Sequence, residues 1–323
     1  MKLHCRHIVC LLMAGLLGVV ALTPMANGQA TTTPTADERE VNFTVSVTNT
    51  YGLPIKGLKP EHFKVSSDKK PQQVTAFSEA NEPISIEFLV DTSGSTELPT
   101  IQGNRLRFAI RGIKDFLQAS NEANEYSILS FSNEAHLVLD WTHDRQVVGK
   151  SLANLAGQPP KGYTAFYDAC RQGMDMMRRA SHRKRVIILL GDGEDNVSKD
   201  SWLGKLKREI RGDAVAFYSV SITSLARAGA ASVVGQDALS DLAKLTGGTA
   251  FFPIDQSGVD GVFELLAMML QNQYAITFKP SQPADDKWHE IKIEIKLPPN
   301  APSELRYPVA KYRAGYLDRA AHD

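Results

Sequence analysis

Five apolar residues in a row, 186–190 (VIILL), constrain the fold more than any other feature of this chain. A strand that is apolar at every position has both faces covered, which happens where helices pack on both sides of a parallel sheet. Residues 84–90 have the same nearly continuous apolar character and end at Asp91. Around these two runs, strand and helix patterns alternate. Leu106, Ile110, Ile113 and Leu117 recur at helical spacing and predict an amphipathic helix over 104–118. Further helices are predicted over 145–155, 165–179, 198–211, 238–245 and 259–271. Strands are predicted over 126–131, 136–141, 214–222 and 249–253. This alternation implies an α/β domain over 84–271, with a doubly wound, mostly parallel sheet and helices on both faces. The 126–141 hairpin places one antiparallel strand at an edge.

The flanks are written in another style. Val41, Phe43, Val45 and Val47 alternate with polar residues, as in a half-buried antiparallel strand. A turn at 50–54, then Leu58, Phe63 and Val65, then 74–77, make 39–80 a set of short strands too few to bury a core alone. Beyond residue 271 the alternation returns at Tyr274, Ile276 and Phe278, and again at Ile291, Ile293, Ile295 and Leu297, with a third segment over 307–316. The economical arrangement pairs 39–80 with 272–318 in one small antiparallel β-sandwich flanking the α/β domain. Two independent flaps would give the same pattern.

The first thirty residues read as targeting. Lys2 and Arg6 precede an apolar run over 8–22, Pro24 breaks it, and Ala26, Gly28 and Ala30 supply small residues for cleavage. That order is a secretory signal peptide, and the run is short for a membrane span. No later segment is apolar for long enough to cross a bilayer, so no stable span is expected after signal removal. Residues 31–38 form a polar, threonine-rich linker. Export to a periplasm or out of the cell is therefore expected. Cys5 and Cys10 leave with the signal, and Cys170 shares a helical face with Phe166, Gly173 and Met177, which makes it a buried small apolar residue. Lys plus Arg equals Asp plus Glu at 36 each, so no excess positive charge drives binding to nucleic acid. The basic run 178–185 sits between a helix and a strand and reads as a solvated connection.

Three segments carry chemistry. Asp91-Thr92-Ser93-Gly94-Ser95 directly follows the first buried strand. Gly162-Tyr163-Thr164-Ala165 lies in a Pro- and Gly-rich loop before a helix. Gly191-Asp192-Gly193-Glu194-Asp195 directly follows the second buried strand. Ligands of doubly wound sheets bind outside the carboxyl ends of strands where the strand order reverses. If the two acidic loops leave neighbouring strands, Asp91 and Asp192 face each other there. Hydroxyls and carboxylates without His or Cys suit a hard cation, Mg²⁺ or else Mn²⁺ or Ca²⁺. Ser93 and Ser95 can reach one ion from a tight turn, Thr164 adds a third hydroxyl, and Asp91 and Asp192 can hold metal-bound waters. Glu194 and Asp195 read as solvent-facing, or as caps of the next helix.

In this order, D-T-S-G-S, G-Y-T and G-D-G resemble the metal-ion-dependent adhesion site of von Willebrand factor A domains, and 84–271 is similar to the whole of such a domain, a Rossmann-like fold. The flanking GLKPEHF at 57–63 and RAGY at 313–316 are similar to a bacterial group of exported proteins related to von Willebrand factor A. One departure is Gly191, where that family often has Thr or Ser. The resemblance implies metal ligation by Ser93, Ser95 and Thr164, completed by Asp91 and Asp192. It also implies a protein partner that offers an Asp or Glu carboxylate to the ion. A metal-stabilised scaffold of the cell envelope is the competing reading. A metal-dependent hydrolase is the third, disfavoured because Ser93 stands where a D-x-D pair would have a carboxylate and no His lies beside the three loops. The expectation is a protein that is not an enzyme.

Overall fold

The computed structural model describes residues 39–94, 105–199, 202–222, 230–254, 256–282, 284–297, 302, 305 and 307–319. The expected signal peptide over 1–30, the expected linker over 31–38 and Ser95 lie outside them. The described residues open with β1 (Val41–Thr48), a turn of 3₁₀ helix at Pro60–His62, β2 (Phe63–Ser67), β3 (Lys70–Gln72) and β4 (Val74–Ala80). The α/β part follows as β5 (Ile84–Asp91), α1 (Arg105–Ala119), β6 (Glu125–Phe131), β7 (Ala135–Thr142), α2 (Arg145–Ala156), α3 (Phe166–Met177), β8 (Lys184–Gly191), α4 (Leu203–Ile210), β9 (Val215–Ser221), α5 (Ala230–Thr246), β10 (Ala250–Phe251) and α6 (Gln256–Gln271). The chain then returns to strands, β11 (Gln273–Phe278), β12 (Trp288–Ile295), β13 (Val309–Lys311) and β14 (Gly315–Leu317).

Among the described residues the central sheet has the order β10-β9-β8-β5-β6-β7, parallel except for the antiparallel edge strand β7. The two apolar runs are its adjacent middle strands, and every residue of β5 is buried. Helices cover both faces because each face has its own core. Ile86, Phe88, Ile188 and Val220 pack against α1, α2 and α6 with Ile113, Leu152 and Phe263. Leu89, Ile187, Leu189 and Phe217 pack against α3, α4 and α5 with Cys170, Leu206 and Leu242.

The flanks form a sandwich of two antiparallel sheets, β13-β1-β11-β4 and β14-β12-β2-β3, so each sheet mixes strands from both ends of the chain. The alternating residues meet between them: Phe43 and Val45 from β1, Phe63 and Val65 from β2, Ile276 and Phe278 from β11, Ile291 and Ile293 from β12. Neither end of the chain could bury this set alone, so the interleaving is what creates the core.

Several boundaries differ from the sequence pattern. α4 begins at Leu203, not 198, because Ser198 and Lys199 are tied elsewhere: Ser198 Oγ donates to Asp195, and the Lys199 N–H donates to Asp168 Oδ2 at 2.8 Å. α5 starts at Ala230, eight residues earlier than the pattern, because its first turns carry no apolar stripe. Val233 and Val234 are exposed there, and the inward position is Gly235. The 249–253 strand shrinks to the two residues of β10. The 307–316 segment divides into β13 and β14, which lie in different sheets. Between them the chain bridges to α5, with the Ala314 N–H donating to Leu245 O at 3.0 Å, and this anchor carries it across the sandwich edge.

Candidate metal-binding site

β5 and β8 run side by side in parallel, with Val90 opposite Leu190, so Asp91 and the Gly191-Asp192 pair emerge from adjacent carboxyl ends. From β5 the chain proceeds to β6 on one side, whereas β8, β9 and β10 progress to the other. The order therefore reverses between β5 and β8, the position at which doubly wound sheets bind ligands. Gly191 gives the two strands room. A Cβ there would lie 3.1 Å from Asp91 Cβ and 3.3 Å from its Oδ2, a close approach to the candidate ligand.

Asp91 is 1% exposed. Its Oδ1 accepts the Ser93 N–H at 2.8 Å, and the Ser93 hydroxyl also bonds to the carboxylate. Its Oδ2 is buried without a hydrogen-bond partner. Asp192 is buried too, and its Oδ1 accepts the Glu194 N–H at 3.0 Å. Behind it, α5 presses on the loop backbone: a Cβ on Gly235 would lie 2.4 Å from Asp192 O.

The third loop is braced from three sides. The Gly94 N–H donates to Gly162 O and the Lys161 N–H to Thr92 O, both at 3.0 Å, which lays the loop against the turn after β5. Gly162 has φ +87°, and Asn133 packs where its Cβ would be while accepting the Tyr163 N–H at 2.7 Å. Asn196 accepts the Thr164 N–H at 2.8 Å and returns its own N–H to Thr164 O at 2.9 Å. Thr164 is 3% exposed. α3 begins at Phe166 with no cap from its own Ala165. Its first N–H groups go instead to Asp195 Oδ1, from Tyr167 at 3.3 Å, and to Ser198 Oγ, from Asp168 at 3.1 Å. The loop after β8 therefore caps the helix that follows Thr164. Asp195 caps α3, the preceding helix, and not the one that follows it.

The structure thus gathers Asp91, Ser93, Thr164 and Asp192 at one end of the sheet, with Ser95 outside the described residues. Burial, and then the charge of Asp192, push the Asp91 carboxyl up to about 7 against the hydrogen bonds from Ser93. Burial and the same Asp192 charge raise Glu194. Confining acidic groups in one another's field is unfavourable, and a cation offsets it. Buried hydroxyl positions, two carboxyl groups and one carboxylate oxygen with no internal partner make a donor set that fits a hard divalent ion. Among the described residues no group of three or more His, Cys, Asp or Glu is placed to hold a metal. Cys170 is buried on the core face of α3, where burial pushes its thiol well up. Asn133 and Asn196 escape sequence reasoning, their only signal being a position in short polar loops flanking the site.

A family model described as von Willebrand factor type A domain matches residues 86–194, a span that contains all five candidate ligand positions. No curated protein matches. Among solved structures, the chain is similar to a von Willebrand factor type A protein from Catenulispora acidiphila at 12% identity and TM-score 0.48, covering 86% of this chain and 75% of that one. It is similar to the PilB minor pilin from Streptococcus sanguinis at 13% identity and TM-score 0.48, covering 59% of this chain and 62% of the pilin. It is also similar to the BatB protein from Bacteroides thetaiotaomicron at 16% identity and TM-score 0.45, covering 58% of this chain and all of that one. The chain thus spans less than two thirds of the pilin's length.

Proposed function

Because the chain carries a von Willebrand factor type A domain, matched over residues 86–194, we propose that it is an exported recognition module that binds a protein partner through a metal ion. Mg²⁺, or Mn²⁺ or Ca²⁺ in its place, is held by Ser93, Ser95 and Thr164, with Asp91 and Asp192 completing the site. The observation that carries this reading is Asp91 Oδ2, a buried carboxylate oxygen with no partner inside the protein, at the switch point and in the field of a second buried acid. When bound, the ion supplies a positive centre for an Asp or Glu carboxylate of the partner. The residues of the chain do the rest. Ser93 fixes Asp91 through Oδ1 and leaves Oδ2 without an internal partner, while Asn196 ties the Thr164 loop to the acidic loop after β8 and main-chain bonds at Gly94 and Lys161 tie it to the turn after β5.

Tyr163, next to Thr164, is 66% exposed although its backbone is pinned by Asn133, and it offers an aromatic anchor beside the ion. Binding rather than turnover is supported by Ser93, which occupies the position where a hydrolytic carboxylate pair would need an acid. Export is supported by the targeting pattern over 1–30. No helix among the described residues is long and apolar enough to cross a membrane.

Capture from cell-envelope extract tests the reading, with matched arms in Mg²⁺ and in chelator, for the unaltered protein, Asp91→Ala and Tyr163→Ala. A partner retained only in Mg²⁺, lost with Asp91→Ala and weakened by Tyr163→Ala, is expected. A partner held equally in both arms and by Asp91→Ala would refute the metal-bridged mode.

A further inference from the structure

A second site lies at the opposite end of the parallel sheet from the acidic loops. There the outer face of the β13-β1-β11-β4 sheet stands off the amino ends of β8 and β9 and leaves a cleft of about 570 Å³. That volume falls in the range of small-molecule sites, roughly 300–1,000 Å³. Its floor is polar because β1 alternates: Phe43 points into the sandwich core, while Asn42 and Thr44 face outward.

Three observations give the cleft a chemistry. First, its lining carries five cations, Arg183, Lys184, Arg185, Arg211 and Arg313, against two acids, Glu82 and Asp213, in a chain whose formal net charge is zero. Second, two buried polar atoms on its wall have no hydrogen-bond partner, Arg313 Nε and Gln273 Oε1. Gln273 spends its Nε2 on Ser46 Oγ and Tyr218 OH at 2.8 and 3.1 Å, and Arg313 spends Nη2 on Asn42 O at 3.2 Å. A buried donor and a buried acceptor left over on one wall mark a place where something else completes them. Third, Lys184 is buried and donates to Leu270 O at 2.5 Å, a neutral acceptor for a charged group. Burial lowers its ammonium to about 7, and burial lowers the Arg313 guanidinium to about 10. Glu82 lies in the field of Lys184, but neither cation forms an ion pair with a carboxylate among the described residues, so an incoming anion would stabilise both. At the mouth, the Arg211 guanidinium lies 5.3 Å from the Trp288 ring centroid, a flat apolar wall held beside a positive charge.

We propose that this cleft is a binding site for an anionic organic molecule of small-metabolite size, its carboxylate or phosphate meeting Arg313 and Lys184 and its carbon frame lying against Trp288. The site is separate from the metal-binding crevice and stands or falls independently of it.

Isothermal titration of the whole protein in chelator, which keeps the acidic loops free of metal, tests this with four probes: inorganic phosphate, glucose 6-phosphate, glucuronate and glucose. One-to-one binding of glucose 6-phosphate or glucuronate, at least tenfold tighter than glucose, is expected, and the three anions together separate phosphate from carboxylate recognition. Arg313→Gln should weaken that binding tenfold or more. Arg211→Gln, at an exposed position that the fold does not need, should weaken it several-fold and supplies the reading if Arg313→Gln does not fold. No saturable binding of any anion, equal binding of glucose, or undiminished binding by the folded variants would overturn the proposal.

Discussion

Replacing Gly235 with Ala sets two effects against each other, and the structure decides which wins. Within a helix, Gly→Ala stabilises by about 0.5–1 kcal/mol through backbone entropy. At Gly235, however, the new Cβ would lie 2.4 Å from Asp192 O, 2.9 Å from Glu194 N and 3.0 Å from Gly193 C. All three are backbone atoms, so no side chain can swing away. α5 must retreat by about 1 Å to restore ordinary contact, and overpacking of this kind costs about 1–3 kcal/mol. Gly235→Ala should therefore destabilise by up to about 2.5 kcal/mol net. Gly149→Ala in α2 and Gly261→Ala in α6, where nothing lies within 4 Å of the new atom, should stabilise by about 0.5–1 kcal/mol. Urea denaturation with matched m-values measures all three. Because the retreat displaces the Asp192 to Glu194 backbone, Mg²⁺ should also raise the midpoint of Gly235→Ala less than that of the unaltered protein. A Gly235→Ala protein as stabilised as Gly149→Ala would refute the close contact of α5 with the acidic loop.

Asn196→Ala strands the Thr164 N–H and should cost about 1–3 kcal/mol and blunt the Mg²⁺ response, whereas Asn196→Asp keeps the acceptor and should restore most of both; thermal melts with and without Mg²⁺ read each outcome. Asp144→Ala removes the side-chain acceptor of two N–H groups at the start of α2 and should cost about 1 kcal/mol with an unchanged Mg²⁺ response. Glu87 is fully buried between β5 and Gly173, with Oε1 lacking a partner, and burial pushes its carboxyl well above the usual range. The folded state therefore keeps a proton that the unfolded chain releases above the ordinary carboxylate pKa, so this group makes stability fall as pH rises beyond that value. Denaturation midpoints from about pH 5 to about pH 8 should shift in favour of Glu87→Gln relative to the unaltered protein, and parallel midpoints across that range would contradict the assignment.

What could be read from the sequence tracks what side-chain chemistry announces. The runs 84–90 and 186–190 show the parallel sheet because full burial demands apolar residues at every position, and both became middle strands. The first turns of α5 were invisible because they pack backbone against backbone through Gly235, which leaves no apolar stripe to detect. The change of sheet near Arg313 was invisible for a related reason, since its anchor is a main-chain bond from Ala314 to Leu245. At the candidate site, carboxylates and hydroxyls after buried strands announce themselves. The braces do not: an Asn in a short loop looks the same whether it caps its own turn or, like Asn133 and Asn196, holds a loop some thirty residues away.

Anomalous diffraction from crystals soaked in Mn²⁺ would show whether the acidic loops hold a cation. A single strong peak is expected at the carboxyl ends of β5 and β8, about 2.1 Å from the Ser93 and Thr164 hydroxyl oxygens, and it should disappear in Asp91→Ala crystals. A map without density there, or with its strongest peak at another place on the molecule, would contradict that expectation.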